Sequence, residues 1–220
     1  MTSQQQESYF VSKLLGTSEI ESKVTDDNAT YTSGLYKRIV VDRVNDLVTY
    51  TNYADTTIPK KATSLFSRSF DYLMKSGLQV NNLRYFAMGS DYLSYRNYVE
   101  GLPVFLENDN VPALRVNFFN SGVNINFSNI NLQIPIPADS QTVTLPKTSD
   151  VVANLLARGI KRESIQRIEL GFTMSEDSSV DNLVNLKPTY YFEIYNEWKT
   201  YSEWETTELA SFQNNVTGEE

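Results

Sequence analysis

Apolar residues recur along this chain in two rhythms, one helical and one of period two. Between Glu7 and Leu15, Phe10 pairs with Leu14 and Val11 with Leu15 at a spacing of four, and Gly16 follows. That spacing and stop predict a short helix. After a polar stretch, Leu35–Val41 and Leu47–Tyr53 are rich in Val, Ile, Thr and Tyr. They read as a β-hairpin turning at Asn45-Asp46. Pro59 opens a second helix, whose apolar stripe is read as Phe66, Phe70, Leu73 and Met74, and Gly77 closes it. Strands are expected at Leu83–Met88 and Tyr95–Leu106, the second broken at Gly101-Leu102-Pro103.

The order then repeats. Leu114–Phe119 and Val123–Ile134 form a hairpin around Ser121-Gly122. Its second arm changes apolar phase after Phe127, which predicts a bulge near Ser128-Asn129. Thr148 or Ser149 caps a helix that buries Val151, Val152, Leu155 and Leu156 and ends at Gly159. Strands Ile165–Met174 and Pro188–Trp198 follow, parted by a polar loop from Ser175 to Asn185, and Trp198–Glu205 is read as a last hairpin arm. Leu73, Gly77, Leu83, Phe86, Met88 and Gly89 match Leu155, Gly159, Ile165, Ile168, Leu170 and Gly171 at one constant offset.

The expected fold is therefore α+β, two tandem ββαββ units with antiparallel sheets each covered by a helix. The units are placed at 30–110 and 111–206, after an N-terminal helix and loop at 1–29 and before a flexible acidic tail at 207–220. Phe70, Phe86, Leu155, Ile168 and Phe192 are expected in the core.

Composition narrows function by what it omits. There is no His and no Cys. Ser-His-Asp and Cys-His nucleophiles are excluded, as are metal sites needing imidazole or thiolate. Net charge is −8, from 27 acidic and 19 basic residues, and no basic run exceeds two residues, which argues against nucleic acid. No apolar run is long enough to span a membrane. The start at Met1-Thr2-Ser3 reads as an initiator on an internal fragment of a longer protein.

Each candidate site has a plainer explanation. Glu107-Asn108-Asp109-Asn110 resembles the opening of a calcium loop, but its sixth and twelfth positions hold Pro112 and Phe118. Asp26-Asp27, Glu176-Asp177 and Glu219-Glu220 lie in expected loops or the tail, unsuited to a fixed carboxylate pair. No catalytic residue, cofactor or metal is expected. The C-terminal aromatic run is different: in a strand, Tyr190, Phe192 and Ile194 face the core while Tyr191 and Tyr195 face the other way. Tyr191, Tyr195 and Trp198 are thus the candidates for a partner interface, because Tyr and Trp dominate interface hot spots.

Four stretches resemble the YycH family of Gram-positive membrane-anchored regulators. They are Tyr9-Phe10 through Leu14-Leu15, Tyr31-Thr32-Ser33-Gly34 through Asn52-Tyr53, Tyr95 through Phe105, and Ile165–Gly171 with Leu186-Lys187-Pro188-Thr189-Tyr190-Tyr191-Phe192. The resemblance implies a C-terminal half, held outside the plasma membrane by an N-terminal transmembrane helix that this chain lacks. It implies a non-enzymatic regulator that acts with a YycI-like protein on a sensor kinase of the WalK (YycG) type in cell-wall control. A PepSY-like inhibitor or ligand-binding domain and a cell-wall carbohydrate-binding module are the alternatives.

Overall fold

A computed structural model describes residues 2–16, 19–106, 112–133, 143–177, 179–180 and 182–209. Among them are strands β1 (Thr2–Gln4), β2 (Glu21–Val24), β3 (Asn28–Ser33), β4 (Lys37–Asp42), β5 (Leu47–Asn52), β6 (Leu83–Met88) and β7 (Tyr92–Val99). They continue with β8 (Leu102–Leu106), β9 (Leu114–Phe119), β10 (Gly122–Ser128), β11 (Ile130–Leu132), β12 (Ile165–Glu176), β13 (Val184–Ile194) and β14 (Glu197–Thr200). The helices are α1 (Glu7–Leu15), α2 (Ala62–Ser76), α3 (Thr148–Ala157) and α4 (Tyr201–Thr206). The protein is α+β.

The chain divides into two compact units that interleave in sequence. One comprises Met1–Gly101, Val111–Ile136 and Glu176–Val184, and the other Leu102–Asn110, Pro137–Ser175 and Asn185–Glu220. In the first, an antiparallel sheet runs β7-β9-β10-β5-β4-β3-β2, with β6 pairing β7 from its other side. The hairpin β9–β10, expected to open a second ββαββ sheet, pairs instead with its neighbours β5 and β7. Strand pairing therefore does not reproduce two self-contained sheets. Registers of hairpins are set locally, but which edge a hairpin joins depends on apolar faces far apart in sequence. β9 and β10 carry Leu114, Val116, Phe118, Val123, Ile125 and Phe127, all essentially inaccessible, into the core that α1, β4 and β5 build.

The expected bulge at Ser128-Asn129 is a change of partner. β10 ends at Ser128, and β11 resumes at Ile130 to pair with β1. The polar stretch before Leu35 holds β2 and β3, and Leu35 itself is an exposed turn residue. β2 is exposed along its whole length, so it has no alternation to betray it.

Helix α2 lies on a face other than the one expected. It buries Leu65, Ser69, Tyr72, Leu73 and Ser76, whereas Phe66, Phe70 and Met74 stand out in solvent, Phe70 at 51% exposure. The stripe is displaced by one residue, about 100° around the helix. Tyr72 decides the rotation. Its hydroxyl donates to Asp55 Oδ2 at 2.9 Å, and Arg68 holds the other carboxylate oxygen at 2.5 Å. Ser69 and Ser76 are fully buried on the same face, and Gly77 at φ 78 lies against Tyr9 of α1.

In the second unit the sheet order is β14-β13-β12-β8, with β12 parallel to β8 and β14 antiparallel to β13, so the sheet is mixed. Val151, Leu155, Ile160, Phe192, Ile194 and Trp204 form its core. Leu155, Phe192 and, in the first unit, Phe86 are buried as expected, but Ile168 is 38% exposed on the outer side of β12. Helix α3 is N-capped by Lys147 rather than Thr148 or Ser149, and the Thr148 hydroxyl donates to the Tyr190 hydroxyl at 3.1 Å. Of the expected last arm, Trp198–Glu205, the first three residues are strand in β14 and the rest belong to helix α4. A reciprocal capping box forces the switch: Thr200 Oγ1 accepts from the Glu203 amide, and Glu203 accepts from the Thr200 amide. The tail beyond Leu209 and the Glu107–Asn110 cluster lie outside the described residues.

Candidate interaction site

Tyr191 lies on β13 and Trp198 on β14, with Tyr195 in the turn between them, and alternation assigns the faces of the strand residues. Phe192 and Ile194 point into the core, and the indole N–H of Trp204 donates to the Phe192 carbonyl at 3.1 Å. On the opposite face Tyr191 lies across from Thr200, and Glu193 lies across from Trp198. Tyr191, however, is only 1% exposed. Its ring stacks on Phe105 of β8 at 3.6 Å between centroids and 10° between planes. Its hydroxyl shares a 2.7 Å hydrogen bond with Thr173 of β12. Tyr191 is thus covered rather than solvent-facing: a stacking partner from β8 and a hydroxyl partner from β12 close over it. Neither is legible in the local pattern.

Tyr195 does not continue the face of Tyr191. It and Asn196 have φ of 55° and 64°, forming the turn between β13 and β14. Asn196 locks that turn to β12, since its amide donates to Gln166 Oε1 at 2.8 Å and its Oδ1 accepts from Gln166 Nε2 at 2.7 Å. Trp198 is partly exposed, with Phe105 at 5.8 Å on one side and the Arg167 guanidinium 5.0 Å from its ring. Arg167 also pairs with Glu169 at 2.7 Å. Burial pushes the Glu193 carboxyl above its ordinary range, against the opposing pull of Arg167 and the Trp198 indole. The result is a small aromatic surface edged by one cation and two carboxylates. It offers stacking and charge-assisted contacts to a partner.

The first unit gathers a second polar cluster where the chain enters it. Glu7 receives Arg43 at 2.6 Å and the Tyr31 hydroxyl at 2.7 Å. Gln4 donates to Asp46 at 2.6 Å, and Asn129 both donates to and accepts from the Gln5 main chain. A cavity of about 240 Å³ lies between them, lined by Gln4, Glu7, Val41, Asp42, Arg43, Asp46 and Asn129. The Arg43 hydrogen bond holds the Glu7 carboxyl below its usual range despite partial burial, while burial raises Asp46. Bonds between residues 2–7 and distant loops satisfy these groups, which is the pattern of a structural clamp. Among the described residues no three metal-ligating side chains of the His, Cys, Asp and Glu kind converge.

The family model described as "YycH protein, C-terminal domain" matches residues 2–205. The chain belongs to the YycH C-terminal domain family. Among solved structures, the crystal structure of YycH from Bacillus subtilis is similar in fold, with a TM-score of 0.69 at 16% identity over 91% of this chain. The chain spans 50% of that YycH chain. A comparison with curated protein sequences finds no match.

Proposed function

We propose that this domain is a non-enzymatic regulatory module, working outside the cell as part of a membrane-tethered protein that modulates a WalK (YycG)-type sensor kinase together with a YycI-like partner. The observation that carries the reading is the YycH family match across residues 2–205. A protein without catalytic groups changes a kinase only by binding its conformations with different affinity. A membrane tether raises the effective concentration of partners, so each contact can be weak in solution.

We place the partner contact at the β13–β14 hairpin, where Tyr195 and Trp198 keep partial exposure and Arg167 and Glu193 supply charge. Tyr191 supports that surface from beneath rather than touching the partner. The test is binding of the 220-residue chain to purified YycI-like and kinase ectodomains, comparing wild type with Tyr195→Ser/Trp198→Ser. Weakened binding at an unchanged thermal midpoint is expected. Wild-type binding to neither ectodomain removes the regulatory reading, and a double variant that binds normally moves the contact elsewhere.

The tandem origin of residues 30–110 and 111–206 also stands as a proposal. It is supported by Gly77 and Gly159, which follow α2 and α3 with φ of 78° and 100°. Superposing residues 62–99 on 148–194 should bring Gly89 onto Gly171, and a mismatch of strand order there refutes common descent.

A further inference from the structure

Most of the α2 face that was expected in the core is exposed, and it adjoins a sheet edge that no strand among the described residues pairs. Phe66, Phe70 and Met74 recur every four residues on its outer side, each at least 37% exposed. Phe66 meets Tyr85 of β6 at 5.2 Å between ring centroids, and Tyr85 and Met88 are also exposed. Tyr85 and Met88 lie opposite Tyr95 and Leu93, both core residues, so both point to the α2 side of the sheet. β6 has β7 as its one strand partner among the described residues. The ladder bonds at Asn82–Tyr98 and Gly89–Tyr92 fix the alternation, so the main-chain groups of Tyr85 and Met88 point away from β7. A bulge after Tyr85 separates them.

The segment that holds α2 and β6 is also basic. Residues 60–88 hold five basic side chains (Lys60, Lys61, Arg68, Lys75 and Arg84) and one acidic, Asp71, leaving 14 basic and 26 acidic in the rest of the chain. Lys60, Lys61, Lys75 and Arg84 are exposed. Open strand edges and contiguous apolar surface are both features that soluble proteins otherwise suppress.

We propose that the outer edge of β6 and the exposed side of α2 form a docking groove for an extended acidic–apolar segment of a partner polypeptide. The segment adds to β6 as a strand, places alternate apolar side chains on Phe66, Phe70 and Tyr85, and turns the intervening carboxylates to the opposite sheet face, where Arg84 lies over the Tyr98 ring. A second copy paired edge to edge would bring the two basic windows together. Lipid tails would leave the outward main-chain groups of β6 without partners. The proposal goes beyond the regulatory reading, since it concerns any segment of this chemistry.

The probe is a fluorescein-labelled peptide in which Val alternates with Glu, titrated against the 220-residue chain by fluorescence anisotropy. Saturable binding that weakens with added salt is expected. It should fall about tenfold or more in Phe70→Ser/Tyr85→Ser, as for truncated aromatic anchors. It should also fall in Met88→Pro, which removes an outward amide but no β6–β7 bond. Circular dichroism melts confirm that each variant is folded. No saturable binding overturns the proposal. So does equal binding of the probe with Lys in place of Glu, or of a probe N-methylated at alternate amides. Capture by anionic vesicles without peptide binding assigns the surface to lipid and also overturns it. Because the probe is not a kinase or YycI-like ectodomain, its failure leaves the regulatory proposal standing, and the converse holds.

Discussion

Replacing Phe192 by Ala and, separately, Phe70 by Ala should give opposite outcomes, although both looked like core in the sequence. Phe192 is fully inaccessible and sits among Val151, Leu155, Ile194 and Trp204. Truncation removes the transfer free energy of the ring and leaves a cavity that a sheet packed under two helices cannot fully close. The expected loss is about 3–5 kcal/mol. Phe70 is 51% exposed, so about half of a burial contribution near 2 kcal/mol is lost and no cavity opens. Ala also favours the helix by roughly 0.5 kcal/mol, leaving a net cost of about 0.5 kcal/mol. The two tryptophans, Trp198 and Trp204, both belong to the second unit, so indole fluorescence follows the unit that holds Phe192. Far-ultraviolet circular dichroism follows both units. With a urea m-value of about 2 kcal/mol/M, the Phe192→Ala midpoint should fall by about 2 M in fluorescence. The Phe70→Ala curve should be nearly superimposable on wild type. An unmoved fluorescence midpoint for Phe192→Ala, or an equal loss for Phe70→Ala, refutes the assignment of faces.

Gly171→Ala should destabilise the second unit by about 1–3 kcal/mol, the usual cost of overpacking. A Cβ there would stand 2.7 Å from the Pro103 carbonyl oxygen and 2.9 Å from the Phe105 ring, and a wild-type urea midpoint would contradict this packing. Acidification should weaken the first unit. The Glu7 carboxyl is held down by Arg43, and the Asp55 carboxyl, though burial raises it, is brought down by hydrogen bonds from Arg68 and Tyr72. Their folded pKa values lie below the unfolded ones, so this stabilisation is complete above the unfolded values and is lost as pH falls through the folded values. Thermal midpoints measured from pH 7 to pH 3 should drop below about pH 4.5, and less steeply in Glu7→Gln. An equal drop in the variant would remove Glu7 from that account.

Strong alternation made β4, β5, β9 and β10 readable, because buried apolar residues recur at every second position, as in Leu114, Val116 and Phe118 of β9 and Val123, Ile125 and Phe127 of β10. Helix α1 was readable for the same reason, with all four expected residues buried. α4 carried a readable signal that strand-like aromatics masked: Thr200 and Glu203 have the spacing of a capping box. The loss of every His- and Cys-dependent chemistry was also decided by sequence alone.

Tertiary structure decided the rest, through contacts between residues distant in the chain. The rotation of α2 hangs on Asp55, whose carboxylate accepts from both Tyr72 and Arg68 of the helix, a polar anchor that outweighs the apolar count of the rival stripe. The burial of Tyr191 needs Phe105 and Thr173 from two other strands. The destination of β9–β10 depends on which sheet edge presents a matching apolar face, and local periodicity specifies a face but not its neighbour. Sequence by itself thus determined which segments form elements and what chemistry they cannot perform. The fold alone determined which aromatic side chains meet solvent, because exposure is a property of what packs across a surface and not of the residues that line it.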